Sequence, residues 1–253
     1  MTIRVSIIQP ALPAYRIPVF RELATRDDID CTVYYSEYPT LANAEPDGFK
    51  AELFKRRTFQ VGSQVFFIEP EPWKLANQSR SDVLLAGWNT RLLLLGPSLA
   101  RARRKGVGTV VWGHGYSKRE SPRRLKIRDA MACKADAVVF YNHTGADAFR
   151  ARNPEYLERG GGVVVAINSL DQAEIQAART DWLGRPDDLK AFRAEQGLPE
   201  PDSGRPVAIF VSRLLEENRT ELLLEATAKI PNLTTIIIGK GPDKERLEGI
   251  AEK

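Results

Sequence analysis

The sequence of 253 residues holds few of the residue types that build metal sites and disulfide frameworks, with only two cysteines and two histidines. Cys31 and Cys133 lack the spacing of metal-ligand pairs, so we expect no structural zinc and no disulfide scaffold, as in the reducing cytoplasm. No apolar run approaches the ~18 residues of a membrane span, and no signal-peptide pattern opens the chain. These absences favour a cytoplasmic protein.

Several motifs that identify common enzyme and binding classes are also missing. The sequence contains no Gly-x-Ser-x-Gly elbow and no P-loop ending in Gly-Lys-Ser or Gly-Lys-Thr. Gly160-Gly161-Gly162 precedes an apolar strand instead of joining a strand to a helix, so we interpret it as a connector. No helix-turn-helix, zinc-finger or aromatic RNA-binding signature accompanies the arginines, and we expect no nucleic-acid partner.

Apolar segments of strand length alternate with helical patterns along most of the chain. IRVSIIQ at residues 3–9 is nearly continuous in its apolar character, as expected for a parallel strand covered on both faces. Further apolar segments of this kind are SDVLLAG, TVVWGHG and DAVVFYN, with helical patterns between them. This alternation predicts an α/β protein with a doubly wound, mostly parallel sheet, whose ligands bind at the carboxyl ends of the strands.

The segment from Val207 to Lys253 reads as strand, helix and strand, which is a βαβ crossover. Its first loop presents Arg213, Asn218 and Arg219 before a helix N-terminus, where backbone N–H groups favour an anion. In its second loop two glycines, Gly239 and Gly241, allow close approach to a ligand or a positive φ angle. Both loops are predicted ligand sites.

On these residues the sequence resembles the family-four retaining glycosyltransferases of the two-domain GT-B architecture, in particular the bacterial polysaccharide and capsule type. That family typically reads Gly-Arg-Leu-x-x-Glu-Lys-Gly in the first loop, and its Arg and Lys bind the diphosphate of a nucleotide-sugar donor. The resemblance maps Arg213 onto the Arg and places Asn218 at the Lys position, while we hypothesise that Arg219 supplies the missing charge. It also implies that Gly239 and Gly241 line the nucleotide side.

The N-terminal half carries the same resemblance. His114 follows a predicted strand between two glycines, and the resemblance places it beside the donor sugar as the candidate catalytic residue; the alternative is an ordinary loop residue. Tyr15 and Arg16 follow the first strand, in the loop that borders the acceptor site in this family. The alternative for this pair is that Tyr15 packs in the interior and Arg16 is solvated.

The segment from Asn168 to Asp171 resembles the signature that ends the N-terminal domain in this family. We therefore predict an N-terminal Rossmann-like acceptor-side domain over residues 1–170, a linker with helical connection over 171–204, and the first part of a nucleotide-sugar-binding domain over 205–253. The stretch after Leu170 is shorter than a complete domain of about 150 residues. We therefore expect the donor domain to be incomplete in this chain. Three explanations stay open: the chain is a fragment, a downstream chain from a split gene completes the domain, or the gene is decayed.

The net charge is only +4, but the basic residues cluster in two runs, Arg101–Lys105 and Lys118–Arg128. A cationic collar beside the acceptor cleft would suit an anionic membrane surface or a polyprenyl-diphosphate-linked acceptor, at roughly 1 kcal/mol for each basic residue. The alternative is a solvated helix face. The first interpretation predicts a protein that lies peripherally at the inner face of the membrane.

The resemblance implies a hexosyltransferase that, when its donor domain is complete, moves a sugar from a nucleotide diphosphate to a lipid-linked or polysaccharide acceptor in cell-envelope glycan synthesis. The resemblance implies a metal-independent enzyme without a cofactor, in which cationic side chains take the place of a metal. Two alternatives remain open. One is a non-catalytic remnant or binding module, and the other is a nucleotide-sugar 2-epimerase, which shares the GT-B architecture.

Overall fold

The computed structural model of the chain describes residues 2–38, 41–116 and 120–252. The chain divides into two compact units, Met1–Asp171 and Gln172–Lys253. The boundary lies directly after Asp171, the last residue of the Asn168–Asp171 signature, and a helix begins at Gln172. The residues of the expected linker, 171–204, mostly belong to the second unit.

The first unit contains a seven-stranded sheet in the order β3-β2-β1-β6-β7-β8-β9, in which every neighbouring pair is parallel. A separate antiparallel hairpin, β4-β5, was not expected from the sequence. The strands are β1 (Ile3–Gln9), β2 (Ile29–Tyr35), β3 (Lys50–Leu53), β4 (Arg57–Val61), β5 (Gln64–Ile68), β6 (Val83–Gly87), β7 (Gly108–Gly113), β8 (Ala137–Phe140) and β9 (Gly162–Val165).

Helices cover both faces of this sheet. Ile7 and Ile8 are adjacent in β1 and point to opposite faces, and each belongs to a different buried apolar cluster. The helices of the first unit are α1 (Ile17–Ala24), α2 (Glu71–Leu75), α3 (Leu95–Arg104), α4 (Pro122–Ala132), α5 (His143–Arg152) and α6 (Pro154–Glu158), and a short 3-10 turn, Ala14–Arg16, precedes α1. This is the doubly wound α/β architecture that the alternating pattern predicts.

The strand order reverses direction between β1 and β6. From β1 the chain continues outward to β2 and β3, and later returns to add β6, β7, β8 and β9 on the other side. The connections at this point diverge to opposite faces and leave a crevice at the carboxyl ends of the central strands. The fold therefore places a ligand crevice between the loops that follow β1 and β6.

The second unit contains the helices α7 (Gln172–Leu183) and α8 (Pro186–Glu195), followed by β10 (Val207–Val211), α9 (Thr220–Thr227), β11 (Thr234–Ile238) and α10 (Lys244–Ala251). β10 and β11 pair in parallel, with Val207 beside Thr234 and Val211 beside Ile238. This is the predicted βαβ crossover. A 3-10 turn, Glu216–Asn218, lies between β10 and α9.

The two loops at the carboxyl ends of β10 and β11 lie directly against each other. The backbone N–H of Ser212 donates to the carbonyl of Ile238 at 3.1 Å, and that of Leu214 donates to the carbonyl of Lys240 at 2.9 Å. A Cβ atom at Gly239 would overlap the carbonyl oxygen of Ser212, and one at Gly241 would overlap that of Leu214. The glycines are therefore needed for the contact between the loops.

No helix in the described ranges is long and apolar enough to cross a membrane.

Replacing Gly239 by alanine should destabilise the second unit, because the new methyl group would overlap the Ser212 carbonyl and force the two loops apart. We expect a loss of about 1–3 kcal/mol in the free energy of unfolding, measured by urea denaturation. Gly249→Ala is the matched control: it lies in α10 with open space around the added methyl group, and it should gain about 0.5–1 kcal/mol from helix propensity. Equal stability of Gly239→Ala and the native chain would contradict the steric role.

Candidate functional site

A cavity of about 630 Å³ opens at the carboxyl edge of the central strands of the first unit. Its walls come from the ends of four neighbouring strands and the loops that follow them, which is the ligand position of a doubly wound sheet. Strand-end residues that line it are Gln9 of β1, Gly87 of β6, Gly113 of β7 and, directly after β8, Tyr141. Tyr15, Arg16 and His114, predicted at this edge from the sequence, all line the cavity.

Arg16, in the loop region that follows β1, is buried, with only 8% of its surface exposed. Its Nη2 donates to the Tyr141 hydroxyl at 2.6 Å, and its guanidinium carbon lies 4.4 Å from the centre of the Trp112 ring. Tyr15, in contrast, is 38% exposed. The alternative in which Tyr15 packs and Arg16 is solvated is therefore wrong for both residues.

The charge of Arg16 has no acidic partner among the residues that the structure describes. Its neighbours are the rings of Trp112, Tyr141 and Tyr15, and stacking of a cation on aromatic rings contributes about 0.5–2 kcal/mol. Moving an ion out of water costs several kcal/mol even after relaxation of the protein. The aromatic contacts therefore offset only part of the cost of burying this guanidinium.

His114 directly follows β7, and its two flanking glycines allow the loop to lie close to the aromatic core. A Cβ atom at Gly113 would lie 3.0 Å from Cβ of Trp88, and one at Gly115, where φ is +73°, would overlap the Phe140 ring. The imidazole lies 4.5 Å from the Tyr141 ring, measured between ring centres. The two glycines thus position His114 at the wall of the cavity.

The surroundings of His114 lower its pKa below the usual value of 6.5. The larger cause is the loss of water around the ring, and the second is the positive charge of Arg16. The lowered pKa favours a neutral imidazole at neutral pH, which has one donor and one acceptor nitrogen for hydroxyl groups of a ligand.

A buried ion pair between Arg56 and Glu69 also lines the cavity, and sequence reasoning missed it. Both side chains are 4% exposed, and Arg56 Nη1 lies 3.5 Å from Glu69 Oε1. Neither of these two atoms has a hydrogen-bond partner in the described part of the chain. A carboxylate directly after the apolar segment VFFI is the signal that could have indicated Glu69; for Arg56, which precedes β4, we find no comparable signal.

Burial strongly perturbs the pKa of the Glu69 carboxyl. Burial raises its pKa from 4.5 to about 7, although the nearby charge of Arg56 acts in the opposite direction. The Arg56 guanidinium in turn lies 4.7 Å from the centres of both the Tyr38 and the Phe67 rings. Close to neutral pH, Glu69 is thus divided between its neutral and its ionised form.

The other charged residues along the cavity are arginines. Arg91 lies 5.5 Å from the Phe67 ring, and Arg124 and Arg128 come from α4, where Arg128 forms an ion pair with Glu120. Among the described residues, five arginines therefore line the cavity together with one carboxylate side chain, that of Glu69. The cavity favours anionic ligands.

The two basic runs do not form one collar around the cavity. α4 begins at the carboxyl edge of the sheet, so Arg123 and Arg124 lie near the cavity mouth. α3 runs back toward the start of β7, so Arg101–Lys105 at its C-terminal end lies at the opposite, amino edge. The expectation of a collar is wrong for this run, because parallel strands require the connecting helix to return. Lys118 and Arg119 lie outside the described residues.

In the second unit, Asn218 is used within its own loop. Its Nδ2 donates to the carbonyl oxygen of Arg213 at 2.6 Å and to the Ser212 hydroxyl at 3.0 Å. Arg219 adopts a left-handed backbone conformation with φ of 53°, and its Nε donates to Glu221 at 2.9 Å. The structure thus gives both side chains partners within the unit.

Arg213 is exposed, as Arg219 is, but unlike Asn218 and Arg219 its side chain has no partner among the described residues. It follows β10 on the loop that leads to the N-terminus of α9. Thr220, the first residue of α9, is buried, and its Oγ1 has no hydrogen-bond partner in the same described ranges. Of the three predicted diphosphate-binding residues, Arg213 is the one whose side chain has no partner in the described ranges, and Arg219 uses only its Nε.

Among residues 2–38, 41–116 and 120–252, no group of three or more His, Cys, Asp or Glu side chains is arranged to hold a metal ion.

Cys31 is buried, and burial raises the pKa of its thiol to about 11.

The raised pKa of Glu69 predicts a pH-dependent stability of the first unit. A carboxyl whose pKa is higher in the folded state stabilises the fold at low pH, and this contribution is lost as the pH rises from about 4.5 to about 7. We expect the native chain to lose about 3 kcal/mol over this interval relative to Glu69→Gln, measured by denaturation at several pH values. Glu45→Gln, an exposed carboxyl, is the control, and parallel pH profiles of Glu69→Gln and the native chain would contradict the assignment.

Comparison with models of known protein families finds no match to this sequence, and comparison with curated proteins finds none either. Among solved structures, the chain is similar to HepE of Anabaena in complex with UDP, with a TM-score of 0.60 and 17% identity over 100% of this chain and 65% of that one. The chain thus spans about 65% of the length of HepE.

Two further solved structures share the arrangement. Sucrose-phosphate synthase from Thermosynechococcus elongatus matches with a TM-score of 0.55 and 14% identity over 99% of this chain and 67% of that one. UDP-GlcNAc 2-epimerase from Neisseria meningitidis, bound to UDP-GlcNAc, matches with a TM-score of 0.50 and 12% identity over 100% and 69%. At these identities the likeness concerns the fold, and the chain has a GT-B-type α/β fold with Rossmann-like units.

Proposed function

We propose that this chain is the acceptor-side unit and part of the donor unit of a glycosyltransferase. The enzyme moves a hexose from a nucleotide diphosphate to a lipid-linked or polysaccharide acceptor in cell-envelope glycan synthesis. The observation that carries the proposal is the exposed Arg213 guanidinium between β10 and the N-terminus of α9, beside a loop that needs its two glycines.

The donor diphosphate binds to Arg213 and to the N-terminus of α9, where positive groups offset the charge that develops on the leaving phosphate. Gly239 and Gly241 line the nucleotide side. The structural likeness to HepE, which was solved with UDP and with UDP and glucose, supports a nucleotide sugar as the ligand class. Asn218 stabilises the loop through its hydrogen bonds to Ser212 and Arg213, and the exposed guanidinium of Arg219 adds positive charge at the same helix N-terminus.

In the first unit, Tyr15 and Arg16 border the acceptor, and His114 contacts the donor sugar with a neutral imidazole. The proposal includes retention of configuration and membership of the family-four type, both from the sequence resemblance. Donor binding needs no metal in this scheme, because arginine side chains and a helix N-terminus neutralise the diphosphate. The exposed basic residues of α4 lie where an anionic membrane surface would meet the cavity mouth.

A nucleotide-sugar 2-epimerase is the second candidate, favoured by the structural likeness to UDP-GlcNAc 2-epimerase. The two activities differ in their products. A transferase consumes the donor only with an acceptor or by slow hydrolysis and releases the nucleotide diphosphate, whereas the epimerase converts UDP-GlcNAc to its C2 epimer without releasing UDP. Proton NMR of the chain incubated with UDP-GlcNAc separates them, and binding without any turnover would favour the non-catalytic module.

Calorimetric titration with UDP, GDP and their common sugar conjugates tests the donor site. We expect binding of at least one nucleotide, and Arg213→Ala should weaken it by about tenfold or more, because a charge-assisted contact to phosphate is lost. Arg205→Ala is the matched control, since Arg205 is exposed and precedes β10 at its amino end, away from both loops.

Two results would contradict the proposed donor site. One is the absence of binding to any nucleotide by a folded chain. The other is an equal loss of affinity in Arg213→Ala and Arg205→Ala, which would indicate a general charge effect and no defined phosphate contact.

A further inference from the structure

The strongest unexplained feature of the first unit is a buried guanidinium without a negative charge to pair with. Arg16 is nine-tenths buried, and the Tyr141 hydroxyl is its one hydrogen-bond acceptor in the described part of the chain. A guanidinium carries five N–H donors, so most of its donors are unused by the protein. Buried charges are normally paired, and this one points to a ligand group that supplies the negative charge.

The surroundings of Arg16 favour an anion as well. Arg16 occupies the N-cap position of α1, so the positive end of the helix dipole lies at the same place. The first N–H groups add little, because the Ile17 N–H already donates to the Ala14 carbonyl and Pro18 has no N–H. The rest of the cavity contributes four more arginines and one carboxyl, Glu69, whose own neighbour is Arg56.

Aromatic rings form the wall next to Arg16. The Trp112 and Tyr141 rings lie 5.5 Å apart between centres and flank the guanidinium, while Tyr15 is exposed at the rim. Flat aromatic faces combined with a planar guanidinium suit a ligand that has both a ring with C–H groups and an anionic substituent. A guanidinium binds carboxylate and phosphate through two parallel hydrogen bonds, which fixes their orientation.

We infer that Arg16 binds an anionic substituent, a carboxylate or a phosphate, of a saccharide that occupies the cavity of the first unit. The acceptor of the proposed transferase is then an acidic sugar or a sugar phosphate instead of a neutral saccharide. The identification of this ligand as the acceptor rests on the function proposed above, whereas the anion site itself does not.

Ligand-observed NMR titration of the chain with matched saccharides tests this site. Glucuronate and glucose differ at one position, where a carboxylate replaces a hydroxymethyl group, and glucose 6-phosphate places a phosphate at the same position. We expect at least one of the two anionic sugars to bind about tenfold more tightly than glucose. Preference for glucuronate would indicate an acidic sugar, and preference for glucose 6-phosphate a phosphorylated acceptor.

Substitutions of Arg16 separate the specific contact from general attraction. Arg16→Ala should abolish the preference for the anionic sugar, and Arg16→Lys should keep part of it, because lysine retains the charge without the planar fork. Arg26→Ala is the matched control, since Arg26 lies just beyond the other end of α1, is exposed and is paired with Asp28. Thermal unfolding of each variant establishes that it is folded. Arg16→Gln is a second neutral variant, whose side-chain amide keeps an N–H donor for the Tyr141 hydroxyl.

Equal affinity for glucose and both anionic sugars in the native chain would overturn the inference. The same holds for an anion preference that persists in both Arg16→Ala and Arg16→Gln. Titration with UDP in parallel keeps the two proposals distinguishable, because the donor residues lie in the second unit. A chain that binds UDP through Arg213 but shows no anion preference loses only this inference.

Discussion

The reversal of strand order between β1 and β6 is the constraint on which the first unit depends. It separates the loops after these strands and opens the cavity between them, and it also determines which side chains meet there. Arg16 follows β1, Trp112 and His114 lie at the end of β7, and Tyr141 follows β8, so three separate stretches of the sequence meet at one edge of the sheet. The chemistry of the site is therefore a consequence of topology before it is a consequence of any single motif.

Most of the regular structure could be predicted from apolar periodicity. The apolar run IRVSIIQ corresponds to β1, whose residues contribute to the buried clusters on both faces of the sheet. The two strands predicted between Val207 and Lys253 correspond to β10 and β11, although alternate side chains of β10 are exposed. β3 and β4 were missed, since their residues are largely exposed and their sequences contain no such run. β5 was missed as well, although it contains the short apolar segment VFFI, because the strand that pairs with it shows no pattern. The Arg56–Glu69 pair was missed for a related reason: its two members meet only through the hairpin.

The sequence predicts where the candidate site lies better than it predicts the burial and the hydrogen bonds of its side chains. Tyr15, Arg16 and His114 were all expected at the edge of the sheet where they are found, but the burial of Arg16 depends on Trp112 and Tyr141, which periodicity does not connect to it. Similarly, the sequence resemblance to the family-four glycosyltransferases maps Asn218 onto a phosphate-binding lysine. Its hydrogen bonds to Ser212 and Arg213 follow from the local path of the loop and from its short amide side chain.

Because α3 runs back to the amino edge of the sheet, the arginines at its C-terminal end contact their own helix end and α2 instead of the cavity. Arg101, Arg103 and Arg104 occupy the last turn of the helix, where the unpaired backbone carbonyls concentrate negative potential. Arg101 also stacks on Trp73 of α2, 4.8 Å from its ring centre. The positive charges of this run therefore interact favourably with the negative end of their own helix dipole, and Arg101 also packs α3 against α2. In this position a cluster of like charges stabilises the fold.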